Sequence, residues 1–487
     1  MKTLFSTLII LSTFLVVFDA HAQNSVHPDL RYAEGELINK KANGFNGIWY
    51  MNQPSNDEYV YKYSGGLAVY CAKHQPFGVY SEKADKTFFC FGGTDDSNST
   101  LFHNVSYLDH KTGKVANPTV ILDKKTTDAH DNPVISMDDK GYIWVFSTSH
   151  GTSRPSYISR SSKPYSIKKF KKIEAAEIEN GEEKPFDNFS YFQIWHVKNK
   201  GFMALFTKYR DGHRVTGFNT SKDGIQWNEW KVIGHIEKGH YQISGENNGK
   251  ISVAFNYHPE PKGLNWRTNL YYLETTDFGE SWQTASGQKV QLPLTTPDNP
   301  ALVKNFQAEE LNCYMKDLNF DEEGNPVVMV ISSKGYESGP GNNPRTWELF
   351  HYKNNKWNNH KVTTSDNNYD MGSIYIEPNG IWQIVAPTEQ GPQHYNPGGE
   401  VAMWKSADNG SSWKKVKQLT VNSEKNHTYV RRPVNVHPGF YGIWADGHGR
   451  QPSTSNLYFC DKDGNVFKLP EEIKKSVVTP SAVAFGK

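Results

Sequence analysis

One hairpin is written seven times along this chain, and that repetition limits what the chain can fold into. The clearest copy is residues 128–151, DAHDNPVISMDDKGYIWVFSTSHG. The turn DDKG separates the apolar runs PVISM and YIWVFST, which is the pattern of a β-hairpin. The segments SYFQIWHVKNKGFMALFTKYR, HYQISGENNGKISVAFNY, CYMKDLNFDEEGNPVVMVISSKG, YDMGSIYIEPNGIWQIVAPT and YVRRPVNVHPGFYGIWADG repeat it, and HQPFGVYSEKADKTFFCFGGT is an earlier, less regular copy. The copies begin near 74, 130, 189, 240, 313, 369 and 430. A spacing of roughly 50–75 residues suits four-stranded units, which protect their strand edges by closing into a ring.

A second hairpin follows most copies. Three of these carry related turns: SKDGIQW (221–227), TTDFGESW (275–282) and SADNGSSW (406–413). This is the S/T-x-D-x-G-x-x-W Asp-box pattern, one residue shorter in the first copy. The Asp caps the turn backbone, Gly takes a positive φ, and Trp packs between sheets. These aspartates are therefore structural. The pattern predicts an all-β protein, a seven-bladed β-propeller spanning residues 23–487 as one domain. NGIWYM (46–51) is expected to supply a strand that completes the last blade.

Lys2, the apolar run LFSTLIILSTFLVVF and the small-residue AHA at 20–22 read as a signal peptide over residues 1–22, with a mature start at Gln23. The expected product is secreted, to the periplasm, the cell surface or the medium. No later segment is apolar and long enough to span a membrane, and a monomer is expected. Lys and Arg total 53 against 52 Asp and Glu, which argues against a nucleic-acid partner. Of the four cysteines, Cys71 and Cys90 are close enough in sequence to pair; without a CxxC there is no zinc-ribbon signal.

Counting outward from the turns brings particular polar residues together. His130 meets His150 at the open end of one hairpin, Tyr191 meets Arg210 in the next, and His240 meets Tyr257 in the one after. In a propeller these open ends share one mouth. The set contains no carboxylate pair of the kind glycosidases use and no Ser–His–Asp arrangement. It offers proton-transfer groups beside a fixed cation. That chemistry suits β-elimination at a uronic acid. Arg grips the carboxylate in two places, a neutral His or ionised Tyr takes the C5 proton, and Tyr or His protonates the leaving O4. Asn132 and Lys208, on the same hairpins, are expected substrate contacts.

DAHDNPVISMDDKGYIWVFSTSHG, SYFQIW, LFTKYRDGHRVTGFNTSKDGIQW and FNYHPEPKGLNWRTNLYYLETTDFGESW also resemble the Asp-box propellers of the ulvan lyase families. The resemblance is densest over 120–330. It implies a seven-bladed propeller that cleaves ulvan, an anionic sulfated rhamnose–uronic acid polysaccharide. It further implies His130 and Tyr191 as acid/base residues, Arg210 as carboxylate neutraliser, and His150 and Tyr257 as their site partners. No cofactor is expected for catalysis. The family can hold a structural metal ion, for which His213, His258 and Cys313 are loose candidates. Three other readings stay open: a lyase for another polyuronate, a non-catalytic sugar-binding propeller, and a sialidase-like glycosidase. The only segment comparable to a sialidase Arg-Ile-Pro is RRP at 431–433.

Overall fold

The computed structural model describes residues 35–483 apart from 96, 153, 211 and 212, and describes Arg210 by its backbone alone. Residues 1–22, the expected signal peptide, lie outside the described residues. Seven groups of antiparallel strands follow one another along the chain, the first and last joined in one 13-stranded sheet. We number these blades 1 to 7. Their inner strands are Gly78–Ser81, Pro133–Met137, Ser190–Val197, Gln242–Asn247, Asn312–Phe320, Ser373–Ile376 and Asn426–Arg431. Blade 2 shows the pattern: Pro133–Met137 pairs Ile143–Ser147, which pairs Tyr157–Ser161, which pairs Phe170–Ile173. Among the described residues, no helix is long and apolar enough to cross a membrane.

Inner strands of neighbouring blades pack side by side around the axis. The ring shuts where blade 7 meets blade 1, through a parallel bridge between Val79 and Val434. Both chain ends reinforce this seam. Asn46–Gly47 pairs with Asn456 and Ser455 of blade 7 and with Gly93 of blade 1. Val477–Val478 pairs with blade 1, and Ser481–Val483 extends blade 7. The expected role of NGIWYM needs correction. Only its first two residues join blade 7, because Trp49–Met51 turns inward to pair with Ser64–Gly66. That short hairpin lies over the mouth of the axis. It is held there by Trp49 Nε1 donating to His448 O (2.8 Å) and by Asn396 Nδ2 donating to Tyr59 O (2.9 Å).

The Asp-box turns link third and fourth strands, at the outside of the ring. Asp223 Oδ1 accepts from the backbone N–H of Ile225 (2.8 Å) and Gln226 (2.9 Å), while Gly224 N–H donates to Ser221 Oγ. Gly224 has φ +75°, and a Cβ there would lie 2.8 Å from the Trp144 ring of blade 2. Glycine thus serves both the turn and the packing between blades. The four cysteines are free and buried, so the possible Cys71–Cys90 pair is not formed. Cys90 instead packs in the apolar core beside Phe89 and Phe91.

Asp223→Ala should lower stability by roughly 1–2 kcal/mol, the worth of two hydrogen bonds, read as a lower thermal midpoint with unchanged turnover per folded molecule. Hydrogen bonds from Ser412 and Ser406 pull the Asp408 carboxyl down to about 2. A depressed carboxyl contributes stability above the ordinary Asp value of about 3.9 and loses it as pH falls toward the folded value. Asp408→Asn should therefore cost stability at neutral pH and progressively less between pH 4 and 2, followed by thermal melts across that range.

Candidate active site

The hairpin of blade 2 starts from a short turn, Ala129–Asp131, whose cap is Asp128. Its observed register, Pro133 opposite Ser147, carries outward to bring 130 opposite 150. One carboxylate then fixes both imidazoles. His130 Nδ1 donates to Asp128 Oδ1 at 2.7 Å and His150 Nδ1 donates to Oδ2 at 2.8 Å. Arg154, buried, holds Asp128 (3.3 Å) and Asp131 (2.8 Å) from behind. With both Nδ1 atoms protonated, both Nε2 lone pairs face away from Asp128. Tyr70 Oη lies 2.8 Å from His130 Nε2, and Tyr191 Oη lies 3.4 Å from His150 Nε2. Burial, aided by the neighbouring His150, pushes the His130 imidazole down to about 4, so it is neutral at pH 7. Burial opposes the charge on Asp128, yet the two imidazoles keep its carboxyl well below the usual range.

Asp128, His130 and His150 bring metal-ligand atoms within 4.8 Å of one another. The geometry still favours proton handling over metal binding. The rings stack at 3.9 Å with planes 18° apart, so their in-plane lone pairs run side by side and do not converge on one point. Among the described residues His213, His258 and Cys313 form no metal-ligand group of three. His213 Nδ1 meets Glu237 O, His258 Nδ1 meets Trp266 O, and Cys313 lies in an apolar cluster with Met315 and Val330.

Blades 3 to 7 each bring a tyrosine to the mouth from the head of the inner strand: Tyr191, Tyr241, Tyr314, Tyr369 and Tyr429. Tyr63 and Tyr70, from the segment over the mouth, complete the ring. Tyr191 and Tyr429 hold φ of +51° and +59° at bulges in their strands. For an aromatic residue this is strained backbone, and it directs both side chains to the axis. Two guanidiniums sit among the rings. Arg214 lies 4.7 Å from the Tyr241 ring and 5.4 Å from Tyr191; Arg267 lies 4.5 Å from Tyr241 and 4.7 Å from Tyr314. Both are buried, and Arg214 Nε and Nη1 and Arg267 Nε have no hydrogen-bond partner among the described residues. Buried donors of this kind call for an acceptor from outside. Arg267 borders a pocket lined also by His130, Tyr191, Tyr241, Lys73 and further ring tyrosines, with no carboxylate in its lining. A larger pocket opens at the opposite, turn-bearing face, where Asp138 and Glu246 accept from the backbone of their own turns and Asp139 accepts from Asn199 N–H of blade 3.

The structure therefore unites His130, His150 and Tyr191, and separates other expected site residues from them. A bulge between Ser190 and Gln193 shifts the pairing: Ser190 lies opposite Thr207, Tyr191 sits in the bulge, and Arg210 lies further along the partner strand, pairing with His213 at a hairpin end. The Arg210 side chain lies outside the described residues; Arg214 and Arg267 supply the cations seen at the mouth. Tyr257 points away, its hydroxyl donating to Gln307 and its ring near Tyr271, because strand alternation hands the inward direction to His258. Asn132 is scaffold: its Nδ2 donates to the carbonyls of Leu67 (2.8 Å) and Tyr70 (2.9 Å). Lys208 lies on the outer part of blade 3, paired with Glu177 at 2.6 Å and over Trp230. His240 is also scaffold, bonded to Asn256 O and Ile236 N. The repeated Tyr at the head of SYF, HYQ, CYM, NYD and TYV was available in the sequence as a signal for the ring.

Fold and site together define a closed β-propeller with an anion-accepting, proton-transferring pocket on its axis. Residues 96–365, more than half of the chain, match the BNR repeat-containing family. The chain belongs to that family. It is 24% identical over 352 residues to an ulvan lyase of Nonlabens ulvanivorans, covering 65% of this chain and 70% of that protein. A PL25 ulvan lyase bound to -[GlcA(1-4)Rha3S]- superposes with a TM-score of 0.67 at 15% identity, over 87% of this chain and 96% of its own. The polysaccharide lyase Uly1 gives a TM-score of 0.58 at 12% identity, over 89% and 100%.

Arg214→Lys and Arg267→Lys should each lower kcat/KM by about 10²-fold, roughly 2.7 kcal/mol, because Lys loses the planar fork. Lys208→Ala should leave kcat/KM unchanged. Steady-state kinetics on folded variants, checked by circular dichroism, separates the two groups.

Proposed function

We propose that this protein is a secreted lyase that cleaves ulvan by β-elimination at its uronic acid, leaving unsaturated uronate-ended oligosaccharides. One observation carries the reading: two buried guanidiniums with unused donors stand against the tyrosines of a pocket that His130 also lines and that no carboxylate lines. A uronate carboxylate completes those donors. Its C5 hydrogen, acidified by the neutralised carboxylate, then lies among groups able to take and return protons. A hydrolytic glycosidase needs two carboxylates flanking the bond, and Asp128, nearest the cavity, is already engaged by His130, His150 and Arg154. The similarity to ulvan lyases directs the choice among polyuronates to ulvan.

Within this reading Tyr191 handles a proton, His150 and Asp128 orient it, and Arg214 and Arg267 neutralise the carboxylate. The protein works as an exported monomer on an anionic polymer, without an added cofactor. Incubated with ulvan in the presence of a chelator, the purified chain should generate the ultraviolet absorbance of a conjugated C4=C5 double bond. Saturated products would mean hydrolysis and overturn the lyase reading. Binding without any product would favour a sugar-binding propeller, and faster turnover of another polyuronate would change the substrate.

A further inference from the structure

We propose that Tyr241 is the base of this reaction, its phenolate oxygen taking the C5 proton while Tyr191 protonates the departing O4. The inference rests on the lyase reading above. Tyr241 is half-buried at the mouth, whereas Tyr191, Tyr314 and Tyr429 are buried. Its ring is bracketed by Arg267 at 4.5 Å and Arg214 at 4.7 Å. These are the groups that would grip the uronate carboxylate, and C5 is the carbon next to that carboxylate. A base held between the two cations is therefore held at the acidic hydrogen.

The imidazoles are placed less well for this task. His130 is buried, its Nδ1 is spent on Asp128, and its Nε2 already meets Tyr70 Oη at 2.8 Å. His150 Nε2 faces Tyr191. The histidines thus orient tyrosine hydroxyls. The remaining titratable groups around Tyr241 favour its ionised form. Lys62 adds a third cation and Tyr191 a hydrogen bond, while Tyr209 opposes through its own hydroxyl. His258, 5.1 Å away, is kept neutral by burial and by the two guanidiniums. Burial raises the Tyr241 phenol, but Arg214 and Arg267 outweigh it and bring it down to about 8. Tyr63, Tyr70, Tyr191, Tyr314, Tyr369 and Tyr429 are all pushed upward, chiefly by burial.

The step balances without a co-reactant. The C5–H bond breaks toward Tyr241 Oη, its electron pair forms C4=C5, and C4–O4 breaks as O4 takes the hydroxyl proton of Tyr191. Tyr241 is left as a phenol and Tyr191 as a phenolate near Arg214, at 5.4 Å, and His150. Proton transfer from Tyr241 to Tyr191 restores both.

The test joins a spectroscopic titration to kinetics on the full chain. Phenolate absorbance in the wild type should show one tyrosine ionising near pH 8, ahead of the rest. Tyr241→Phe should remove that early step, and Arg214→Gln or Arg267→Gln should move it upward. Tyr241→Phe should also lower kcat by about 10²–10³-fold, and wild-type kcat/KM should rise with pH to a plateau above the early step. Persistence of the early step in a folded Tyr241→Phe, or a kcat within a few-fold of wild type, would overturn the assignment. An inactive wild type that keeps the step overturns the reaction and leaves the phenolate standing. An active wild type without it overturns the phenolate alone.

Discussion

The seam between blade 7 and blade 1 is the constraint on which the mouth depends. The groups at the axis come from several blades and from the N-terminal segment, so no pocket exists until the ring is shut. The shutting contacts include the Val79–Val434 bridge, the two-residue strand Asn46–Gly47, and the C-terminal pairings on both blades. The same N-terminal segment that bridges the seam then crosses the mouth and delivers Tyr50, Tyr63 and Tyr70 to His130. Closure and site assembly are thus one event in this architecture, and a loosened seam would scatter the pocket before it melted any single sheet.

Charge is distributed unusually along the axis. Arg214, Arg267, Lys73, Lys316 and Arg431 are all buried there. Lys73 and Lys316 donate to the carbonyls of Met315 and Asn368, and Arg431 to those of Cys71 and His74. Burial pushes the Lys73 ammonium down to about 7. Burying cations against carbonyls and aromatic faces is costly unless an anion arrives, so the empty-handed protein is organised for an anionic ligand. The acids near the mouth do not cancel this. Asp128 is consumed by the histidines, and Asp370, raised well above the usual range by burial, accepts from the backbone of Gly398 and Asn367.

Some of this is legible in the sequence. The seven hairpins, the Asp-box turns on outer strands and the meeting of His130 with His150 all follow from period-two alternation and from turn chemistry, which act over a few residues. Tyr191 could be placed at the mouth for the same reason. Counting failed at the bulge between Ser190 and Gln193, because an extra residue in a strand leaves no reliable mark in the sequence. An even count across that bulge sets Arg210 opposite Tyr191. In the next hairpin the count holds, with Gln242 opposite Phe255, but it does not say that His258 rather than Tyr257 faces the axis. Asn132 and Lys208 looked like ligand contacts because polar residues on site-bearing hairpins are ambiguous until their partners are known.

By itself the sequence determined the class of fold, the repeating hairpin unit, the structural role of the Asp-box aspartates and the pairing of the two histidines. Each of these is a local property, set by side-chain alternation, glycine at positive φ and the capping reach of aspartate. Only the tertiary structure decided which cations face the axis, that one carboxylate binds both imidazoles, that tyrosines from five blades and the N-terminal segment form a single ring, and that Tyr241 lies between two guanidiniums. Those contacts join residues far apart along the chain, as where Tyr63 meets Tyr369 and Tyr70 meets Tyr429. No local rule spans such a distance; the closure of the ring supplies it.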